Sequence, residues 1–261
     1  MNLDKDIKNI YRFSQCDQRN MQEDNLEFLT LPKTANLVFA QQALPLNQAD
    51  REKFLLKHQA SIACFQQLPK NCPITRKIEF LAGRILLKDV IKKISNDEKT
   101  DMEVGFGANG MPLWPKGIVG SVTHTKSHVC VMVGLSKEYL AIGIDLEPLI
   151  SSEKSQELRP VVLSERECSL YHQYTNIMPF NQFFTRCYSF KEAIYKLLFP
   201  QIKTFIDFKE IEVMSINQAD NTISARYQSS ITNQFSNGLF EGKSFNFNHG
   251  ILSYIYLSNL K

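Results

Sequence analysis

The stretch that decides the fold reads GIDLE and occupies residues 143–147, at the end of an apolar run that begins at residue 141. The apolar residues before it favour a strand that ends here. Successive side chains of a strand point to opposite faces, so Asp145 and Glu147 share one face. Open sheets commonly present ligand groups where strands end, and two carboxylates there suit a divalent cation.

A second charged segment, YSFKEAIYK, covers residues 188–196. On a helix, Glu192 and Lys196 lie one turn apart and present a carboxylate beside a cation. If the two segments meet, they form an oxygen-rich magnesium site with a cation beside it, as transfer of a phosphate-bearing group requires. Taken alone, Asp145 and Glu147 could end a strand in solvent, and the helical pair could be a surface ion pair.

The composition limits the class of protein. A chain of 261 residues, 43% of them apolar, can bury a substantial core in one large domain or two smaller ones. The six cysteines lack Cys-x-x-Cys spacing and no signal peptide precedes them, which predicts reduced thiols in a cytoplasmic protein. No apolar stretch is long enough to span a bilayer, and the net charge of +3 is too small to predict a nucleic-acid partner.

Hydrophobic periodicity predicts a mixture of strands and helices. The strand candidates are residues 26–31, 37–40, 129–135, 139–146, 210–216, 222–227 and 244–257. The helix candidates are residues 49–67, a longer helix capped by Thr75, residues 163–174 and residues 179–198, the last with Pro200 past its end. We further predict a hairpin around Ser136 and a polar linker over residues 148–159. This order predicts an α+β fold in two similar-sized halves.

Four segments in a fixed order carry a resemblance to a known family. Besides the two acidic segments, they are RKIEFLAGR at residues 76–84, and GMPLWP running on to GSVTH at residues 110–124. The chain resembles the 4'-phosphopantetheinyl transferases, whose signature joins an apolar-Gly-apolar-Asp stretch to a later aromatic-Ser-x-Lys-Glu-Ala-x-x-Lys helix. The two additional segments point to the siderophore-synthetase group, the enterobactin synthetase component D type.

The resemblance implies an α+β fold of two lobes related by a pseudo-twofold axis, with the active site in the cleft between them. We place the lobes at residues 1–147, with the coenzyme A phosphate-binding segments and the metal-binding strand, and at residues 148–261, with the helix of Glu192 and the carrier-protein side. The implied activity is transfer of the phosphopantetheine arm of coenzyme A to a serine of an apo carrier protein, with release of 3',5'-ADP.

Further implications concern the partners. The acceptors would be acyl, aryl or peptidyl carrier domains of nonribosomal peptide synthetases, acting in siderophore or related synthesis. Coenzyme A would be the substrate and Mg²⁺ the cofactor, and we expect a monomer.

The resemblance also implies roles for single residues. Mg²⁺ would be held by Asp145, Glu147 and Glu192. Glu192 would be the base for the serine hydroxyl, directly or through a metal-bound water. Lys196 would contact coenzyme A and offset charge on the phosphoryl oxygens.

A second set of residues is expected to hold the phosphates of coenzyme A: Arg76, Arg84, Thr123 and His124. Both arginines match the family run thought to hold the nucleotide 3'-phosphate, a task that suits guanidinium geometry, although they could merely solvate a helix face. The imidazole can donate a hydrogen bond to phosphate. Trp114 could pack structurally or flank the nucleotide.

Two other classes of function remain open. A magnesium-dependent nucleotide hydrolase or phosphotransferase could use the same carboxylates, but the sequence has no Gly-x-x-x-x-Gly-Lys-Ser/Thr phosphate loop. A non-catalytic protein that binds carrier domains is the other, and retention of all three carboxylates counts against it.

Overall fold

The computed structural model describes residues 27–30, 37–95, 102–107, 111–227 and 238–259. These residues form two compact units. The N-terminal unit runs to Ile142 and includes the strand end from Leu257, whereas the C-terminal unit comprises Gly143–Tyr256. Asp145 and Glu147 therefore belong to the C-terminal unit. The substrate roles assigned to residues 1–147 and 148–261 stay a prediction.

The strands of the N-terminal unit are β1 (Glu27–Thr30), β2 (Leu37–Ala43), β3 (Gly105–Phe106), β4 (Pro112–Leu113), β5 (Ile118–His124) and β6 (His128–Leu135). Four of them form an antiparallel sheet with the order β1-β2-β6-β5. The helices of this unit are α1 (Gln48–His58) and α2 (Ile74–Ser95). Strands β3 and β4 form a separate two-stranded ribbon.

Helix α2 forms because its apolar residues recur at helical spacing, and it packs that face on β2 and β6. Ile78, Leu86 and Ile91 are buried there, each contributing about 1.5–3 kcal/mol. Trp114 packs against this cluster, and its ring covers Gly120 so closely that a Cβ atom there would collide with it. The structure therefore gives Trp114 a packing role. The helix begins at Ile74, so Thr75 lies in the first turn and is not the cap that we predicted.

The strands of the C-terminal unit are β7 (Tyr139–Pro148, from Gly143 onward in this unit), β8 (Ile211–Asn217), β9 (Thr222–Tyr227), β10 (Leu239–Phe247) and β11 (Gly250–Ser258). They form a five-stranded sheet with the order β7-β11-β10-β9-β8. The helices of this unit are α3 (Ser152–Val162), α4 (Glu165–Tyr171) and α5 (Phe180–Ile202). The predicted turn before Gly250 joins β10 to β11, with Asn248 and His249 both at positive φ, as a two-residue hairpin turn requires.

Helix α5 supplies much of the core of this unit. Its fully buried aromatic residues include Phe183, Phe184 and Phe190. The helix ends at Lys203 in the left-handed conformation, whose N–H donates to the carbonyl of Phe199. Pro200 lies inside the last turn, so our placement of it past the helix end is wrong.

Two predictions about connections are wrong. Strands β6 and β7 do not form a hairpin, because β6 pairs with β2 and β5 whereas β7 pairs with β11. Both sides of β6 are thus occupied, and after the turn the side chains of Tyr139 and Ile142 pack against Gly134 of β6. The predicted linker contains α3, capped by the Ser151 side chain. Its composition resembles a loop because the helix buries little of its surface.

The α+β fold class is confirmed. The helix that we predicted over residues 49–67 ends at His58 and continues as short 3-10 turns. None of the helices among the described residues has the length and apolar character needed to cross a membrane. The pseudo-twofold axis and the interlobe cleft concern the arrangement of the two units and stay predictions.

Candidate active site

Asp145 and Glu147 lie near the end of β7, where Asp145 is buried and Glu147 is partly exposed. The backbone carbonyl of Asp145 accepts a hydrogen bond of 3.2 Å from the hydroxyl of Ser189 on α5. This bond ties the strand to the helix that carries the second charged segment. The two segments that the sequence analysis singled out therefore meet within the C-terminal unit.

Gly143 allows α5 to contact β7 with no side chain between them. A Cβ atom at this position would overlap the carbonyl oxygen of Ala193 and lie 2.9 Å from the carbonyl carbon. Only glycine permits so close an approach of two backbones. The approach brings Nζ of Lys196 to 2.6 Å from Oδ1 of Asp145, as a salt bridge whose carboxylate is buried and whose ammonium is partly exposed.

Three carboxylates and one ammonium form a single electrostatic cluster. Burial raises the pKa of Glu147 to about 8, with the charge of Asp145 adding to the rise and Lys196 opposing it. Burial also raises the pKa of Glu192, again with Asp145 adding and Lys196 opposing. The structure thus brings together all four residues that we predicted to act here, and their mutual proximity favours the neutral form of Glu147 and Glu192 as long as no further cation is bound.

The donor set of this cluster fits a hard divalent cation. Mg²⁺ prefers carboxylate oxygens, and a bound cation would favour the ionised form of the three carboxylates. Within the described parts of the chain, however, no three His, Cys, Asp or Glu side chains are already grouped closely enough to hold a metal ion. The residues therefore fit Mg²⁺ by their chemistry, and the carboxylates would have to close further to share one ion.

Sequence reasoning assigned no role to Tyr188, whose phenol lies beside the cluster. Burial raises its pKa to about 12, and the charges of Glu192, Glu147 and Asp145 add to the rise. Its ring stacks on Phe208, with ring centroids 5.1 Å apart. The sequence contained a signal for this placement, because Tyr188 is the first residue of the charged segment and lies one helical turn before Glu192.

In the N-terminal unit, two predicted phosphate ligands meet. Nη1 of Arg76 on α2 lies 2.5 Å from Nε2 of His124 at the end of β5. Oε2 of Glu79 lies 3.4 Å from Nη1 of Arg76 and 3.3 Å from Nδ1 of His124. A guanidinium can only donate, so Nε2 accepts and the imidazole proton lies on Nδ1, facing Glu79. The sequence analysis missed this carboxylate, although it stands three residues after Arg76.

The other two predicted phosphate ligands are more deeply placed. Arg84 is buried, donates to the carbonyl of Gly105 at 3.1 Å and lies over the ring of Phe80. Burial lowers its pKa, the Cys64 thiol opposes this, and the charge of Arg76 adds to it. Thr123 is buried in β5. The phosphate-binding roles of these residues stay predictions.

Comparisons with known proteins match both units of the chain. The family profile of the 4'-phosphopantetheinyl transferase N-terminal domain matches residues 65–134, and that of the 4'-phosphopantetheinyl transferase superfamily matches residues 141–245. Together the two matches span more than half of the chain and include every residue predicted to act.

Among curated proteins, the chain is 28% identical over 142 residues to enterobactin synthase component D of Salmonella typhi, covering 54% of this chain and 56% of that protein. It is 27% identical over 152 residues to the 4'-phosphopantetheinyl transferase PptT of Mycobacterium tuberculosis, covering 56% and 64%. A shorter match of 73 residues, 30% identical, to the transferase Npt of Nocardia iowensis covers 28% and 32%. The matched region thus spans about half the length of the first of these relatives.

Proposed function

Since the chain belongs to the 4'-phosphopantetheinyl transferase superfamily, we propose that it transfers the phosphopantetheine arm of coenzyme A to a serine of apo carrier protein domains. The relatives named for enterobactin synthesis support a siderophore or other nonribosomal peptide pathway. The proposal includes Mg²⁺ as cofactor and a monomeric enzyme in the cytoplasm.

One observation carries the proposal. The ion pair of Lys196 with Asp145 links the two motif segments, and Glu147 and Glu192 share its electrostatic field. A surface ion pair would not need a buried carboxylate or a glycine that admits the helix backbone. This arrangement supports the transfer of a charged phosphoryl group, because such transfers depend on positioned charges of both signs.

The mechanism assigns proton transfer to Glu192 and charge stabilisation to Lys196. Glu192 accepts the proton of the carrier serine, a poor nucleophile at neutral pH, and burial strengthens it as a base by raising its pKa. The serine oxygen forms a bond to the phosphorus that bears pantetheine, and the bond from that phosphorus to the bridging oxygen breaks. The leaving group is 3',5'-ADP. Lys196 offsets the charge that grows on the phosphoryl oxygens.

The remaining assignments concern the substrate. Asp145, Glu147 and Glu192 would hold Mg²⁺, which would neutralise charge on the pyrophosphate of coenzyme A. The phosphates of the adenosine half would be bound by Arg76, Arg84, Thr123 and His124, as the family resemblance implies.

Mass spectrometry of apo carrier domains tests the proposal most directly. The protein is incubated with coenzyme A, Mg²⁺ and the carrier, and the carrier is examined for the mass of the phosphopantetheine arm. A carrier in which the acceptor serine is replaced by alanine should gain nothing. Release of 3',5'-ADP without a carrier would instead indicate a hydrolase, and carrier binding without any transfer would indicate a scaffold.

Arg76→Ala should weaken the use of coenzyme A more than that of dephospho-coenzyme A, which lacks the 3'-phosphate. A charged hydrogen bond contributes about 1.5–3 kcal/mol, so KM for coenzyme A should rise by about 10- to 100-fold. Steady-state kinetics with both substrates measures the effect.

Lys77→Ala is the matched control, because it removes a neighbouring cation of α2 whose ammonium donates to the carbonyl of Lys70. It should leave both KM values within about twofold of the wild type. Equal losses with the two substrates in the Arg76 variant would contradict its assignment to the 3'-phosphate.

A further inference from the structure

Lys191 is a buried ammonium in the charged segment to which the mechanism gives no task. Neither its side chain nor that of its partner Glu167 exposes any surface. Nζ donates to Oε2 of Glu167 at 2.7 Å, to the carbonyl of Val162 at 2.6 Å and to the carbonyl of Phe208 at 3.0 Å. An ammonium has three N–H donors, so every one of them is used.

Both oxygens of the Glu167 carboxylate also accept hydrogen bonds from the backbone. Oε2 also accepts from the backbone N–H of Ser164 at 2.8 Å, which completes the capping box at the start of α4. Oε1 accepts from the backbone N–H of Val213 in β8 at 2.8 Å. The pair therefore joins α5 to the last residue of α3, the first turn of α4 and β8.

We propose that the ion pair of Glu167 with Lys191 is a positioning device for Glu192, an inference that rests on the proposed function for the role of Glu192. Neighbouring residues of a helix point about 100° apart, so anchoring Lys191 fixes the direction in which Glu192 points. A rotation of α5 by about 20° would move a side chain at its rim by about 2 Å. Such a displacement is enough to lower a catalytic rate by about 100-fold.

The geometry favours positioning over a contribution to stability alone. A buried ion pair is weak evidence for stability, because apolar side chains of similar volume often serve as well. Rotation of α5 in either direction would strain three hydrogen bonds of one buried charge together, and water cannot replace them. The device thus defines one orientation of the helix that bears Glu192 and Lys196.

Two variants separate positioning from stability. Glu167→Gln leaves Lys191 charged and buried without a carboxylate, and it should lower both the Tm and kcat. The double variant Glu167→Gln with Lys191→Met removes both charges, so its Tm should recover part of this loss, although the carbonyls of Val162 and Phe208 lose the donor that Lys191 supplied. We expect its kcat to stay at least about 10-fold low, while KM for coenzyme A changes by less than about threefold.

Ile223→Ala is the matched control, because it leaves a cavity at a fully buried position of β9 without removing any bond of the ion pair. It should lower the Tm with kcat unchanged. If kcat of the double variant equals the wild-type value, the pair only stabilises the fold and the proposal is overturned.

A crystal structure of the double variant supplies a readout that needs no turnover. We expect the Glu192 carboxylate to be displaced from Asp145 by more than about 1 Å relative to the wild type. An unchanged position overturns the proposal. Absence of transfer by the wild-type protein would contradict the proposed function, and the displacement would still decide whether the pair positions this carboxylate.

Discussion

Asp145→Ala should abolish phosphopantetheine transfer, with kcat/KM lower by about 1000-fold or more, while the protein stays folded. Asp145 is the buried member of the cluster, and its carboxylate holds the ammonium of Lys196. Without it, the cluster loses a predicted metal ligand and the contact that orients the cation. Stability should change by only about 1 kcal/mol, because Lys196 is partly exposed and water can solvate its freed ammonium. Transfer rates by mass spectrometry and thermal unfolding measure the two quantities.

Asp145→Asn separates charge from size, since it keeps the shape and removes the negative charge. Glu157→Ala is the control, because this exposed carboxylate pairs with Lys154 on the surface of α3. It should leave transfer unchanged. A purified, folded Asp145→Ala protein that transfers at the wild-type rate would remove the carboxylate cluster from the mechanism.

Gly143→Ala should lower the free energy of unfolding by about 3 kcal/mol or more, which is the upper end of the range for overpacked cores. The added methyl group would overlap the backbone carbonyl of Ala193, and a helix backbone cannot move aside as a flexible side chain can. Displacement of α5 should also separate Lys196 from Asp145, so transfer should fall by about 100-fold. Urea unfolding curves and transfer rates measure these effects.

Gly83→Ala is the matched substitution for stability. A Cβ atom there would meet Val129 at an ordinary contact distance of 3.5 Å, and alanine favours the helix by about 0.5–1 kcal/mol. Its unfolding midpoint should stay equal or rise slightly. A Gly143→Ala protein with an unchanged midpoint would show that the close approach of strand and helix is not required.

The sequence predicted the elements whose signal is local. Helix α2 and strand β7 follow from periodicity and from apolar runs, because the same side chains that set the pattern are buried. The predictions of strand pairing were wrong where the pairing strand lies far along the chain. Pairing of β7 with β11 depends on contacts between segments about a hundred residues apart, which no local pattern encodes.

The candidate site shows the same division. The sequence analysis selected Asp145, Glu147, Glu192 and Lys196 because motif spacing places each on a face of a strand or helix, and their roles stay predictions. Glu167 was missed although Ser164 and Glu167 have capping-box spacing, because that spacing predicts a helix start and not a partner for a distant lysine. Glu79 was missed because a carboxylate among cations of a helix is usually a surface ion pair.

The fluorescence of Trp114 can report on unfolding of the N-terminal unit. It is the one tryptophan of the chain, and its indole packs over Gly120 in the N-terminal unit. Its emission therefore records the loss of packing in that unit, whereas far-UV circular dichroism averages over helices and strands of both. Denaturation followed by both signals can distinguish concerted melting from stepwise melting without any label.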